Sequence, residues 1–168
     1  VFALSFLSLQ SLAEPSADGV RLSDAPVIDG DVLRDVAWGE RALSGFWQQR
    51  PVEGAPSTQQ SDVYIGYTDT ILYIGVVAYD DNPAGIIVAD SRRDASLDNG
   101  DSLSFIIDAF RDQQNGFGFG TNPAGIEYDA QVSKEAGGTM SRWAGVNLNW
   151  DTNWRVETNI VDYGWSAE

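Results

Sequence analysis

From residue 60 onward the chain alternates between apolar and polar positions with a period of two. In "DVYIGY" the residues Val63, Ile65 and Tyr67 fall on one face. A short polar stretch, Thr68-Asp69-Thr70, follows. "ILYIGVVAY" then sets Leu72, Ile74, Val76 and Ala78 against Ile71, Tyr73, Val77 and Tyr79. Alternation of β-branched and aromatic residues about a short polar loop predicts a hairpin, and Asp80-Asp81-Asn82-Pro83 ends it. "DSLSFIIDAF" places Leu103, Phe105 and Ile107 opposite Ser102, Ser104, Ile106 and Asp108. "GFGFGTNPAG" reads as a Gly-aromatic strand with an Asn122-Pro123 turn. "IEYDAQVS" divides Ile126, Tyr128, Ala130 and Val132 from Glu127, Asp129, Gln131 and Ser133, and "NWRVETNIV" offers Trp154, Val156, Thr158 and Ile160. Only Asp31 to Trp38 has helical character, with Leu33 and Ala37 four apart on one face. Short, regular strands punctuated by Gly, Asn, Asp and Pro predict an all-β fold, an antiparallel β-sandwich of jelly-roll or immunoglobulin-like type.

The chain's 168 residues suffice for one domain with a core. No repeat and no linker interrupts it after about residue 24. The N-terminal run "VFALSFLSLQSLAEPSADG" has an apolar body and small residues at Ser11-Leu12-Ala13. It reads as a signal-peptide remnant and leader over residues 1–19, too short to span a bilayer as a helix. The expected domain covers residues 20–168, and export places it in the periplasm, at the outer membrane or outside the cell. The alternative is that the apolar run is a helix or strand of the domain itself. The final "GWSAE" reads as the opening of a strand after a turn glycine. This predicts a sandwich truncated at its C-terminal strand, with a sheet edge left open.

Charge and composition narrow the chemistry. The formal net charge is -15, which opposes binding to nucleic-acid phosphates and to anionic membrane surfaces. The chain has no Cys and no His. That removes thiol and imidazole chemistry, the usual zinc sites and any Ser-His-Asp triad. Carboxylates, amides, hydroxyls and aromatic rings remain, and these bind sugars and hard cations such as calcium.

Taken together, "VIDGDVLRDVAW", "VYIGYTDTILYIGVVAYDD", "DNGDSLSFIIDAF", "GFGTNPAGIEYDA" and "NLNWDTNWRVETNIVDYGWSAE" resemble the family 9 carbohydrate-binding modules. They are most similar to the family-9-like N-terminal domain of exported bacterial proteins that continue into an uncharacterised, outer-membrane-type C-terminal region. The resemblance covers about residues 24 to 168. Ile28, Asp29, Gly30, Leu33, Asp35, Ala37 and Trp38 match the family's opening structural motif. Tyr73 with Asp80, and Asp101 with Asp108, match its strand motifs. The resemblance implies a β-sandwich that binds a saccharide, carries structural calcium, and tethers an attached C-terminal domain of the same chain to a polysaccharide. It also implies a link to carbohydrate catabolism, with a glycoside hydrolase as a possible neighbour and no catalysis by this domain. One alternative is a structural domain that packs on an outer-membrane barrel and binds no sugar; another is a hydrolase, which needs a cleft with a close carboxylate pair that no motif in the sequence singles out.

Candidate sites follow from these expectations. Trp38, beside apolar neighbours, reads as a core wedge. Trp47, Trp143 and Trp150 sit in loop-like stretches near Asn, Arg or Asp, so they are the candidate stacking platforms for a pyranose. Arg92, Arg93, Arg142, Asn147 and Asn149 are the candidate hydroxyl-binding groups. The same tryptophans also read as edge-of-core aromatics, and "ADSRRDASLDNGDS" also reads as a solvated charged loop. Asp80, Asp98 and Asp101 are the candidate calcium ligands, in a spacing that is not that of an EF-hand.

Overall fold

The alternating segments become strands where the pattern places them. The computed structural model describes residues 17–40, 42–133 and 146–168. Strand β1 is Val20–Arg21, β2 Ser61–Tyr67, β3 Leu72–Tyr79, β4 Leu103–Ile107 and β5 Asn115–Thr121. Strand β6 is Tyr128–Ser133, β7 Val146–Asn147, β8 Thr158–Val161 and β9 Gly164–Ala167. A five-stranded sheet runs in the order β1-β2-β3-β9-β8, and a four-stranded sheet in the order β4-β5-β6-β7. Every pairing is antiparallel except that of β1 with β2. The fold is all-β and sandwich-like.

Register fixes which side chains share a face, because directly opposed residues point the same way. Tyr64 pairs with Gly75 and Asp62 with Val77. On this face Val32, Trp38, Tyr64 and Val77 form one buried core. Trp38 is 6% exposed, as a wedge should be. Gly75 makes room for it: a β-carbon there would lie 2.9 Å from the indole. The indole Nε1 donates to Glu168 Oε2 at 3.0 Å, and the backbone N–H groups of Asp29 and Gly30 donate to Glu168 Oε1. Burial pushes the Glu168 carboxyl up, against the three donors that favour its charged form. Ser166 Oγ closes the same junction by donating to the Gly30 carbonyl at 2.6 Å. Gly30 sits at φ +83°, and a β-carbon there would come within 2.7 Å of the Thr158 carbonyl carbon. A glycine is therefore required at this turn.

Three expectations are corrected. The Asp31–Trp38 stretch is not one helical face. It forms two 3₁₀ turns, Val32–Arg34 and Val36–Trp38, broken at an extended Asp35 whose side chain caps the second by accepting from Ala37 N. The break rephases the chain, so Val32 is buried while Leu33 is 46% exposed. Second, "GWSAE" forms a strand, as its pattern predicts, but not at a sheet edge. Its residues Gly164–Ala167 form β9, which lies inside the sheet between β3 and β8. Third, Trp154 and Val156 precede strand β8 instead of belonging to it.

The second sheet has its own core, Leu97, Ile126, Tyr128 and Ala130, on its glycine-bearing face. Its opposite face looks toward the five-stranded sheet across a cavity of about 670 Å³. Leu72 and Ile74 of β3 line one side, and Leu103, Phe105, Ile107 and Phe119 of β4 and β5 line the other.

Candidate ligand site

The sequence "NGFGFGT" of β5 puts two phenylalanines on one face and glycines on the other. Phe117 is opposite Ile107 on β4 and Gln131 on β6, and Gln131 is opposite Asn147 on β7. One row therefore crosses all four strands: Ile107, Phe117, Gln131, Asn147. The next row is Phe105, Phe119 and Asp129.

Aromatic rings connect these rows. Phe105 stacks on Phe119 at 5.6 Å between centroids, and Trp150 stacks on Phe117 at 4.7 Å with 23° between planes. Trp150 and Trp154 both meet Phe119 edge-on, at 6.3 and 5.3 Å. These are the geometries that ring quadrupoles favour. Trp150 is placed by a turn after β7. Asn149 N donates to the Asn147 side chain at 3.1 Å, and Trp150 N to the Asn147 carbonyl at 3.4 Å. An Asn side chain that accepts from the backbone two residues on is a turn-forming device. Gln131, Asn147 and Asn149 are exposed beside the half-buried Trp150.

Arg93 fixes the loop that follows. Its guanidinium meets Glu127, Asp129 Oδ2 at 3.1 Å, Asp151 Oδ1 at 2.5 Å and Asp94 Oδ2 at 3.6 Å. The Asp129 side chain is 2% exposed and also accepts from Thr152 N at 3.2 Å. Arg93 thus ties β6 to the segment next to Trp150. Partial burial works against its charge, but the surrounding carboxylates outweigh burial and hold the guanidinium above its ordinary range.

The structure brings Asn147, Asn149 and Trp150 together and joins Arg93 to them through Asp151. Arg92 instead makes a fork with Asp90 at the surface, and its hydrogen bonds hold the Asp90 carboxyl well below the usual range. Trp47 is 66% exposed, on a different loop where it bridges to Pro56. Arg142 and Trp143 lie outside the described residues. The sequence reading missed Phe117, Gln131, Asp129 and Asp151. The alternation of "GFGFG" and "YDAQV" carried the signal for the first three, had the two strands been set in register.

The three candidate calcium ligands serve separate turns. Asp80 accepts from Asn82 N at 2.6 Å, Asp101 from Ile87 N at 2.7 Å, and Asp98 from the Ser96 hydroxyl at 3.3 Å. Among the described residues no group of three or more acidic side chains is arranged to hold a metal ion. No family model, no curated protein and no solved structure matches this chain.

Proposed function

We propose that this chain is a carbohydrate-binding module that holds a saccharide at the β6–β7 side of its four-stranded sheet, on the face that bears Phe117. It acts in an exported protein and tethers an attached domain to a polysaccharide. The observation that carries the reading is the Phe117–Trp150 stack beside three exposed amides, Gln131, Asn147 and Asn149. An indole backed by a second ring is a rigid platform for the C–H face of a pyranose, and side-chain amides both donate to and accept from its hydroxyls. The carboxylates gathered nearby neutralise Arg93, which supports binding without catalysis.

Affinity electrophoresis in gels cast with neutral polysaccharides tests the reading. Gln131→Ala together with Asn149→Ala, which leaves the Asn147 turn intact, is expected to weaken retention several-fold while the melting temperature stays within a degree or two of wild type, because exposed polar positions contribute little to stability. Unchanged retention in this double variant would remove the amide row from the site. The second reading, a structural domain packed on a membrane barrel, is favoured by the burial of two of the described tryptophans, Trp38 and Trp165. It predicts no retention at all.

Structural calcium is part of the same proposal and has its own test. An ion held by the acidic loops raises the melting temperature by mass action. Melting curves in calcium and in chelator should then separate, and superimposed curves discard the ion.

A further inference from the structure

We propose that the cavity between the two sheets is a second binding site, beside the sugar platform on the same face of the four-stranded sheet, that takes a neutral monoacyl lipid. Its volume of about 670 Å³ lies within the range of small-molecule pockets, about 300–1,000 Å³. Ile74 on one sheet and Leu103, Phe105, Ile107 and Phe119 on the other give it apolar walls. Apolar walls left open in this way face water and lack packing partners. An acyl chain supplies the missing contacts. Ile71 and Leu72, 52% and 49% exposed, lie at the cavity and mark where it opens to solvent.

A second observation gives the lipid its polar end. Trp154 lines the cavity, and its Nε1 is buried with no hydrogen-bond partner. It is the one buried side-chain donor among the described residues left in that state. Buried donors are nearly always paired, so an acceptor from the ligand completes this one. The edge contact of Trp154 with Phe119 holds the ring against the apolar wall.

The lining selects a neutral head. Arg155, the one cation there, is engaged with the Ile28 carbonyl at 3.4 Å and with Glu157 Oε1 at 3.0 Å. The Glu168 carboxyl also lines the space and already takes three N–H donors. A carboxylate or phosphate head would enter beside that acid, with the one cation already paired to Glu157, and a buried charge without a partner of its own is costly. An ester carbonyl accepts from an indole N–H at no such cost.

The test uses decanoyl glycerol, decanoate and a neutral environment-sensitive dye, read by dye displacement. Wild-type protein is expected to release the dye saturably to decanoyl glycerol and at least tenfold more weakly to decanoate. Trp154→Phe keeps the ring but removes the donor, and should weaken decanoyl glycerol about five- to tenfold, the value of one ordinary hydrogen bond. Ile74→Trp fills the space and should abolish displacement, whereas Gln131→Ala should leave it unchanged. No saturable displacement by decanoyl glycerol, equal binding of decanoate, or wild-type affinity in Trp154→Phe would overturn the proposal. Loss of sugar retention with lipid binding intact would fall on the Trp150 platform alone.

Discussion

Trp38→Ala is expected to lower the melting temperature more than any other single ring deletion. Trp38 is packed against Val32, Tyr64 and Val77 and fits over Gly75. Truncating a buried Trp to Ala typically costs about 3–5 kcal/mol. For a domain of this size each kcal/mol shifts the midpoint by about 2–4 °C, so a fall on the order of 10 °C follows. Part of the loss is polar. Without the indole N–H, Glu168 Oε2 loses its donor while Oε1 keeps the two backbone N–H groups. Trp38→Phe separates the two parts: it retains most of the packing and should lose roughly 1.5–3 kcal/mol, the range for a hydrogen bond to a charged group. Thermal melts of the two variants check this. If Trp38→Ala melts within a degree of wild type, the wedge assignment is wrong.

Removing Arg93 should also destabilise the fold, for an electrostatic reason. Asp129 is almost wholly buried, and its partners are Arg93 and the Thr152 N–H. Arg93→Met leaves that carboxylate in the protein with one neutral donor. A fully buried pair broken from one side typically costs about 3–5 kcal/mol; because the Arg93 side chain is 40% exposed, roughly 1–3 kcal/mol is expected here. Asp129→Asn alone should be milder, since an amide oxygen still accepts from Thr152. In the double variant Arg93→Met, Asp129→Asn the unpaired charge is gone, so much of the loss should return. The cycle is then strongly non-additive, as expected for residues in contact. By contrast Arg92→Ala, which breaks only the exposed fork with Asp90, should melt like wild type. Chemical denaturation of the four Arg93 and Asp129 combinations measures the coupling. Additive effects would show that Asp129 does not depend on Arg93.

The strands were legible in the sequence because their signal is local. A period of two in "DVYIGY", "ILYIGVVAY" and "IEYDAQVS" is imposed by one half-buried face, and each became a strand close to where the pattern put it. What failed was whatever depended on distant partners. Leu33 and Ala37 suggested a helical face, but Asp35 caps a second turn and breaks the phase. "GWSAE" was read as a strand and is one, but its place inside the sheet was not foreseen, because nothing local states that β3 and β8 lie on either side. The candidate site was half legible. Asn147, Asn149 and Trp150 are close in sequence and stay close in space. Phe117, Gln131 and Asp129 join them only through cross-strand register. Arg93, read as a sugar donor, proves to be engaged by four carboxylates, three of them more than thirty residues away.

The central claim is that Trp150, stacked on Phe117, is the platform for a saccharide. The most direct measurement is a glycan array probed with wild type, Trp150→Ala and Trp47→Ala, each checked for folding by its melting curve. The predicted result is retention of one class of neutral glycan by wild type and Trp47→Ala, and its loss in a folded Trp150→Ala. Retention by Trp150→Ala equal to wild type, or retention of no glycan by wild type, would contradict the claim.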